Sequence, residues 1–391
     1  MKKKHKCSFG VFLIAIILFI ISSCSVDKKN KKIEDDFTNY RIDVDYIKNS
    51  CDSFIKSAKF IPLELNDESV LNGIDKLIYT KENLIVFDKR QKQVVVFDTL
   101  GVFHSKIRKY GKGPNEYLFP TDIIFDKNEN ELGIMAQSKG CIIWFNLDGS
   151  VLSTNYIKRE KLLLSQALMR GNQIFHFIHN PKTGNNPYQI NSTDIELKKI
   201  NYSTFKSNPN QISNLHLHPF GVFENNITLH LPFDQYIYKY VQEKTSKLFY
   251  FDFKDRNLPE NLLAKMMSLE NNETYEQIQS YNKEIRNFVK VTKIIPLKDF
   301  IFLEISYKYQ RFCVLVNILD NTSHVFRSNL GGFSFAKYVG CISDNNTVLF
   351  EISPTQINKY KSSKITNPEI IEKEDSSSLI NNNPWILKVQ F

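Results

Sequence analysis

The residues here whose types and spacing could do chemistry are two histidine pairs, a scatter of strand-end acids and one cationic–aromatic loop. His216 and His218 stand two apart, which puts both rings on one face of an extended strand and would let them chelate a metal. Pro219 follows and no carboxylate lies within several residues, so a zinc or calcium ligand set stops at two and exposed loop histidines are the plainer reading. His176 and His179 form the other close pair. Asp88, Asp122, Glu304 and Glu351 lie in or beside apolar runs, where a ring of inward oxygens could hold Ca²⁺. Acids at strand ends more often cap turns, and Asp88 has no acidic counterpart in the neighbouring repeat described below. The third candidate is the loop of Arg108, Lys109, Tyr110, Gly111, Lys112, Gly113, Pro114, Glu116, Tyr117, Phe119 and Pro120. Cations beside aromatic rings can stack on sugars or grip acidic groups, while Tyr117 and Phe119 could equally wedge between packed sheets.

Two glycines around a lysine invite comparison with a phosphate cradle. A P-loop needs a longer gap between its glycines, Ser or Thr after the lysine, and a helix beyond. Here Gly113 is followed by Pro114, and the segment beyond reads as a strand. Gly111, Gly113, Pro114 and Pro120 are therefore expected to build a turn through backbone freedom, with Lys112 and Glu116 facing water. No nucleophile elbow, HExxH motif or dinucleotide fingerprint occurs, and no catalytic residue or cofactor is assigned.

The elements that must position these residues are strands. Residues 83–88, 93–98, 122–126, 141–146, 173–178, 226–231, 236–241, 247–253, 299–305, 311–318 and 346–352 are short β-branched or aromatic runs bounded by turn residues. Such spacing predicts an all-β sandwich, barrel or propeller. A repeat chooses among them. Residues 83–101 and 131–149 match at an offset of 48, pairing Leu84 with Leu132, Val86 with Ile134, Phe97 with Phe145 and Gly101 with Gly149. Units of this size cannot bury both faces alone, so neighbours must stack. One stretch departs from the strand pattern: 258–290 spaces Leu262, Met266 and Leu269, then Ile278, Ile285 and Phe288, as helices do. It predicts a helical insertion capping the rim or lying over the channel.

Between the two repeats, Gly111, Gly113, Tyr117, Pro120, Ile123 to Phe125 and Asp126 resemble the blade loop of NHL-type propellers. The longer string from Arg108 to Pro120 resembles the six-bladed β-propeller lipoproteins of Bacteroidetes. "FIPLEL" (60–65), "FDQYIYKY" (233–240) and the closing "NNNPWILKVQF" (381–391) fit that resemblance. It implies a six-bladed β-propeller with four-stranded antiparallel blades over 41–391. Its last strand, Trp385 to Phe391, is expected to close the ring in a blade shared with the N-terminal segment, because an open ring exposes sheet edges. Ser376 to Asn383 reads as a polar linker before it.

At the N-terminus, Lys2, Lys3, Lys4 and Lys6 precede an apolar run, Val11 to Ile21, too short to span a bilayer comfortably. Ile21-Ser22-Ser23-Cys24 resembles a bacterial lipobox, which implies a leader over 1–23, a lipidated Cys24 and a flexible tether to residue 40. The implied address is the cell envelope, on the outer membrane, facing the periplasm or the outside. The formal charge of +9 loses those four lysines with the leader, and what remains, spread over so long a chain, reads as a solvated surface, so no nucleic-acid partner is expected. Export permits disulfides, but Cys51, Cys141, Cys313 and Cys341 show no paired spacing, and three sit in or beside apolar runs. They read as buried thiols. The functional expectation is a non-catalytic module for a glycan, peptide or envelope protein. The alternative is a metal-dependent hydrolase or lactonase that takes Ca²⁺ or Zn²⁺ on channel carboxylates with His216 or His218.

Overall fold

Short runs that are apolar on both faces leave a strand no side to expose, so each must lie between neighbours. A computed structural model shows how this chain meets that demand. It describes residues 37–49, 51–157, 165–178, 188–206, 219–231, 233–262, 283–327, 336–353 and 383–391, with isolated positions between them.

The chain begins with β1 (Thr38–Arg41) and β2 (Ile47–Lys48), makes one 3₁₀ turn at Asp52–Phe54, and continues into β3 (Ser57–Pro62). Blade 1 is β4 (Lys76–Tyr79), β5 (Asn83–Asp88), β6 (Gln93–Asp98) and β7 (Phe103–Ile107). Blade 2 is β8 (Pro120–Asp126), β9 (Glu131–Ala136), β10 (Cys141–Phe145) and β11 (Val151–Tyr156). Blade 3 is β12 (Gln166–Arg170), β13 (Gln173–Phe177), β14 (Tyr188–Asp194) and β15 (Ile200–Lys206). Blade 4 is β16 (Phe220–Phe223), β17 (Asn226–Leu229), β18 (Tyr236–Val241) and β19 (Lys244–Asp252). Blade 5 is β20 (Lys290–Pro296), β21 (Phe300–Tyr307), β22 (Gln310–Asn317) and β23 (Ser323–Arg327). A small hairpin of β24 (Asn329–Leu330) and β25 (Phe333–Ser334) precedes β26 (Lys337–Ile342), β27 (Thr347–Ile352) and β28 (Trp385–Gln390). These last three form blade 6 with β3 as the fourth strand. All eleven runs expected as strands are strands, and the six sheets form a six-bladed propeller.

The repeat at offset 48 is a structural one. Leu84, Val86, Phe97, Leu132, Ile134 and Phe145 are all buried. Gly101 and Gly149 take φ of +90° and +89°, a region only glycine occupies cheaply. At Gly101 a Cβ would also overlap the Pro62 carbonyl. The ring closes as expected: β28 runs antiparallel to β3, from Trp385 opposite Pro62 to Gln390 opposite Ser57. Asn383 locks the junction. It is buried, accepts a hydrogen bond from Leu71 N at 2.9 Å, and donates to Glu64 O at 2.8 Å and Ser69 O at 3.0 Å. It belongs to the closure rather than to a polar linker; residues 376–382 lie outside the described ones.

Two boundaries shift. The compact unit starts at Phe37, not at residue 41. β1 lies parallel to β19 and β2 parallel to β23, so the N-terminal arm adds a fifth strand to blades 4 and 5. Tyr40, Ile42 and Val44 are buried there, and hiding the two aliphatic side chains stabilises by roughly 1.5–3 kcal/mol each. Of the stretch 258–290, residues 260–262, 276, 280 and 283–285 are helical. Leu258, Leu262 and Ile285 are buried together against Phe233 and Phe288; Met266, Leu269 and Ile278 lie outside the described residues.

The two faces of the ring differ. On the lower face, where each inner strand meets its second strand and, in blades 1 to 5, each third strand meets its outer one, the chain turns within two to five residues. On the upper face, where the inner strands begin, every blade-to-blade connection takes at least nine. Tight turns leave little to vary, and long connections on a rigid frame are where binding groups collect.

Candidate binding site at the upper face

The cationic–aromatic loop joins β7 to β8 on this upper face. It is rigid from within. Gly111 N donates to Tyr117 O at 3.1 Å, Tyr117 N to Lys109 O at 2.8 Å, and Gly113 N to the Glu116 carboxylate at 2.7 Å. Lys139, from the turn between β9 and β10, donates its ammonium to Gly113 O. Tyr117 is fully buried in the core between blades 1 and 2, and its hydroxyl donates to Lys92 O at 3.2 Å. Burial pushes that phenol up to about 12. Tyr117 is thus a wedge, out of reach of a ligand.

Glu116 does not simply face water. It is half-buried over the turn, and it explains the glycines. Neither Gly111 nor Gly113 has positive φ; instead a Cβ on Gly111 would overlap the Glu116 carboxylate, and one on Gly113 would come within 2.9 Å of it. The turn needs glycine for space, not for left-handed backbone. Pro120 is buried at the start of β8, while Lys112 and Pro114 are exposed.

What the loop presents outward is a platform. Tyr110 is 50% exposed and Phe119 61% exposed. Between them stands Lys92, its ammonium 4.0 Å from the Tyr110 ring centre and 5.5 Å from that of Phe119. Arg108, Lys109 and Lys112 are exposed beside them. Lys92 was not visible as a site residue because it lies in the turn of the preceding hairpin. One signal existed: at the repeat offset it matches Gly140, and both take left-handed backbone, φ 57° and 61°. A lysine occupies a glycine position.

The four acids do not form a ring. Asp88 is buried and caps its turn, accepting from Asn72 N at 2.6 Å and Gln91 N at 2.9 Å. Each of the other three holds a lysine. Lys76 of β4 reaches across to blade 2, donating to Asp122 at 2.9 Å and Ile123 O at 2.8 Å, and on to Ala167 O of blade 3 at 3.0 Å. Asp122 also accepts from Ala167 N at 2.8 Å. Lys293 pairs with Glu304 at 3.2 Å and lies 4.8 Å from the ring centre of Tyr338 in blade 6. Lys337 pairs with Glu351 at 3.1 Å and donates to Ile74 O at 2.6 Å, joining blade 6 to blade 1.

His176 is buried within blade 3, 2.9 Å from Thr193 Oγ1, and burial drives its pKa down to about 3. His179, His216, His218 and Cys24 lie outside the described residues. Among the described residues no three or more His, Cys, Asp or Glu side chains converge on a metal position, and no helix is long and apolar enough to cross a membrane. Cys51, Cys141, Cys313 and Cys341 form no disulfide and are buried or half-buried; burial pushes Cys141 up to about 11.

Fold and site together define a six-bladed β-propeller with a closed ring and an aromatic–cationic platform on its long-loop face. The chain belongs to the family described as Domain of unknown function (DUF4934), whose model matches residues 37–390. Among solved structures it is similar to a Bacteroides fragilis protein described as exported, with 15% identity over 90% of this chain and 99% of that one and a TM-score of 0.71. It is also similar to a member of the DUF4221 family from Bacteroides vulgatus, with 12% identity over 86% and 96% and a TM-score of 0.51. No curated protein matches the chain. At these identities the likeness is one of fold.

Proposed function

We propose that this protein is a binding propeller of the cell envelope, without catalysis of its own, that takes an acidic glycan or peptide on its upper face. The observation that carries this reading is the Tyr110–Lys92–Phe119 platform: two solvent-facing rings with a cation between them and three more cations around. Flat apolar rings offer stacking area, and ammonium and guanidinium groups supply charge for carboxylates. The strand-end acids speak against the metal-dependent alternative, since Asp122, Glu304 and Glu351 each already hold a lysine. In binding assays against uronate-bearing glycans and acidic peptides, Tyr110→Ala and Phe119→Ala should each weaken affinity about tenfold, near 1.4 kcal/mol. Melting temperature should hold, because both rings face solvent. Variants that bind like the parent, or a parent that retains none of these ligands, would sink the proposal.

The envelope address rests on Ile21-Ser22-Ser23-Cys24, with lipid on Cys24 and the outer membrane as its site. The description of the B. fragilis neighbour as exported points the same way. Cys24→Ser should move the protein out of the membrane fraction; unchanged fractionation contradicts the anchor.

A further inference from the structure

The N-terminal arm leaves a second feature, remote from the platform and independent of it. Where the chain crosses from β1 on blade 4 to β2 on blade 5, it roofs a pocket of about 260 Å³. Arg41, Asp43, Tyr46 and Lys48 line it from the arm, Lys254 from the end of blade 4, and Ser323, His324 and Val325 from β23. Three permanent cations therefore face one lining carboxylate.

Two of those cations are partly answered. Lys254 holds Asp43 at 2.6 Å, and Arg41 Nε lies 3.7 Å from Asp252 just outside the pocket. The Lys254 hydrogen bond keeps the Asp43 carboxyl below its ordinary range, so it stays ionised. Lys48 has no carboxylate partner among the described residues; its ammonium rests 5.2 Å from the ring centre of Phe54. The same ring packs against His324, centroids 4.7 Å apart. Phe54 thus fixes both Lys48 and His324 at the pocket wall.

We infer that this pocket binds a phosphoryl or sulfuryl oxyanion. Arg41, Lys48, Lys254 and His324 together line a space that fits one small group, and Tyr46 lines it with them. A carboxylate offers only two oxygens to such a set, whereas a tetrahedral anion offers three or four. The anion comes from a lipid headgroup or from a soluble phosphate ester.

The test uses the membrane-extracted protein and inorganic phosphate, titrated by calorimetry against chloride at equal ionic strength. Phosphate should bind the parent, Lys48→Ala should weaken it at least tenfold, and Lys48→Arg should restore most of the loss. Lys81→Ala, in the exposed turn between β4 and β5 and outside both sites, should leave phosphate affinity unchanged. A parent that binds phosphate no better than chloride, or a Lys48→Ala variant that folds and titrates like the parent, overturns the site. The source is read by reconstitution into phosphatidylcholine vesicles with and without phosphatidylglycerol. Weaker apparent phosphate affinity in the anionic vesicles identifies a competing headgroup, and equal affinity identifies a soluble ester. Since the platform variants are assayed on other ligands, either site can fail while the other stands.

Discussion

His176 and His230 are buried, uncharged and tied down through one nitrogen only. His230 Nε2 lies 3.2 Å from Asp234 O, so that nitrogen must carry the proton, because a carbonyl only accepts. The remaining Nδ1 of each ring is buried with no hydrogen-bond partner. In His230 a second proton would have to go there, where no acceptor stands among the described residues. Burial accordingly lowers His176 from 6.5 to about 3 and His230 from 6.5 to about 4. The sign follows: the unfolded chain takes up protons below 6.5 while the folded one refuses them. Their contribution is complete above pH 6.5 and is lost as pH falls toward 4 and 3. At pH 5 each should remove roughly 2 kcal/mol of stability relative to neutral pH. Denaturant midpoints across pH 7.5 to 5 should fall steeply in the parent and less steeply in His176→Gln combined with His230→Gln. An unchanged slope in the double variant would show that acid sensitivity lies elsewhere.

At the scale of elements, legibility tracked how each strand meets its neighbours. β5, β6, β9 and β10 lie between other strands and other blades, so nearly every residue is buried and apolar. Such runs declare themselves. β14 is just as buried but reads Tyr-Gln-Ile-Asn-Ser-Thr-Asp. Two of its polar side chains are met by neighbouring strands, Asn191 by Ser203 at 2.6 Å and Thr193 by His176. No local pattern reveals partners that the fold supplies later. The arm strands were hidden for a different reason: a parallel edge strand buries only Tyr40 and its near neighbours, within a segment otherwise rich in charge. The candidate site divides likewise. Tyr110, Phe119 and their basic neighbours were legible as a cluster, because they are close in sequence. Lys92 and the lysine partners of the strand-end acids were not. Asp122 and Lys76 are 46 residues apart, and only blade stacking makes them neighbours. The glycines of the loop meet a need for space rather than for backbone freedom, and the sequence hides it, since the carboxylate that needs their missing Cβ approaches only once Glu116 N has bonded to Gly113 O.

The molecule as a whole is a ring held by apolar wedges between blades and tied at the upper face by lysines. The wedges are non-directional and supply most of the stability, but they do not fix how far one blade is rotated against the next. Lys76 does, because a single ammonium spends all three donors on atoms of blades 2 and 3. Its side chain is 26% exposed and that of Asp122 9%, so the pair is close to buried and removing one member strands the other. Asp122→Ala should therefore destabilise by about 2–3 kcal/mol, somewhat below the loss for a fully buried pair because Lys76 keeps some water. Lys76→Met should cost a similar amount, leaving Asp122 with only the Ala167 amide. The combined variant, Lys76→Met with Asp122→Leu, should lose less than the two single losses together, since no charge is left stranded and apolar surface replaces the pair. Urea unfolding of all four proteins closes the cycle. Strictly additive losses would mean that the ammonium and carboxylate act independently, and that the blades are held in register by packing alone.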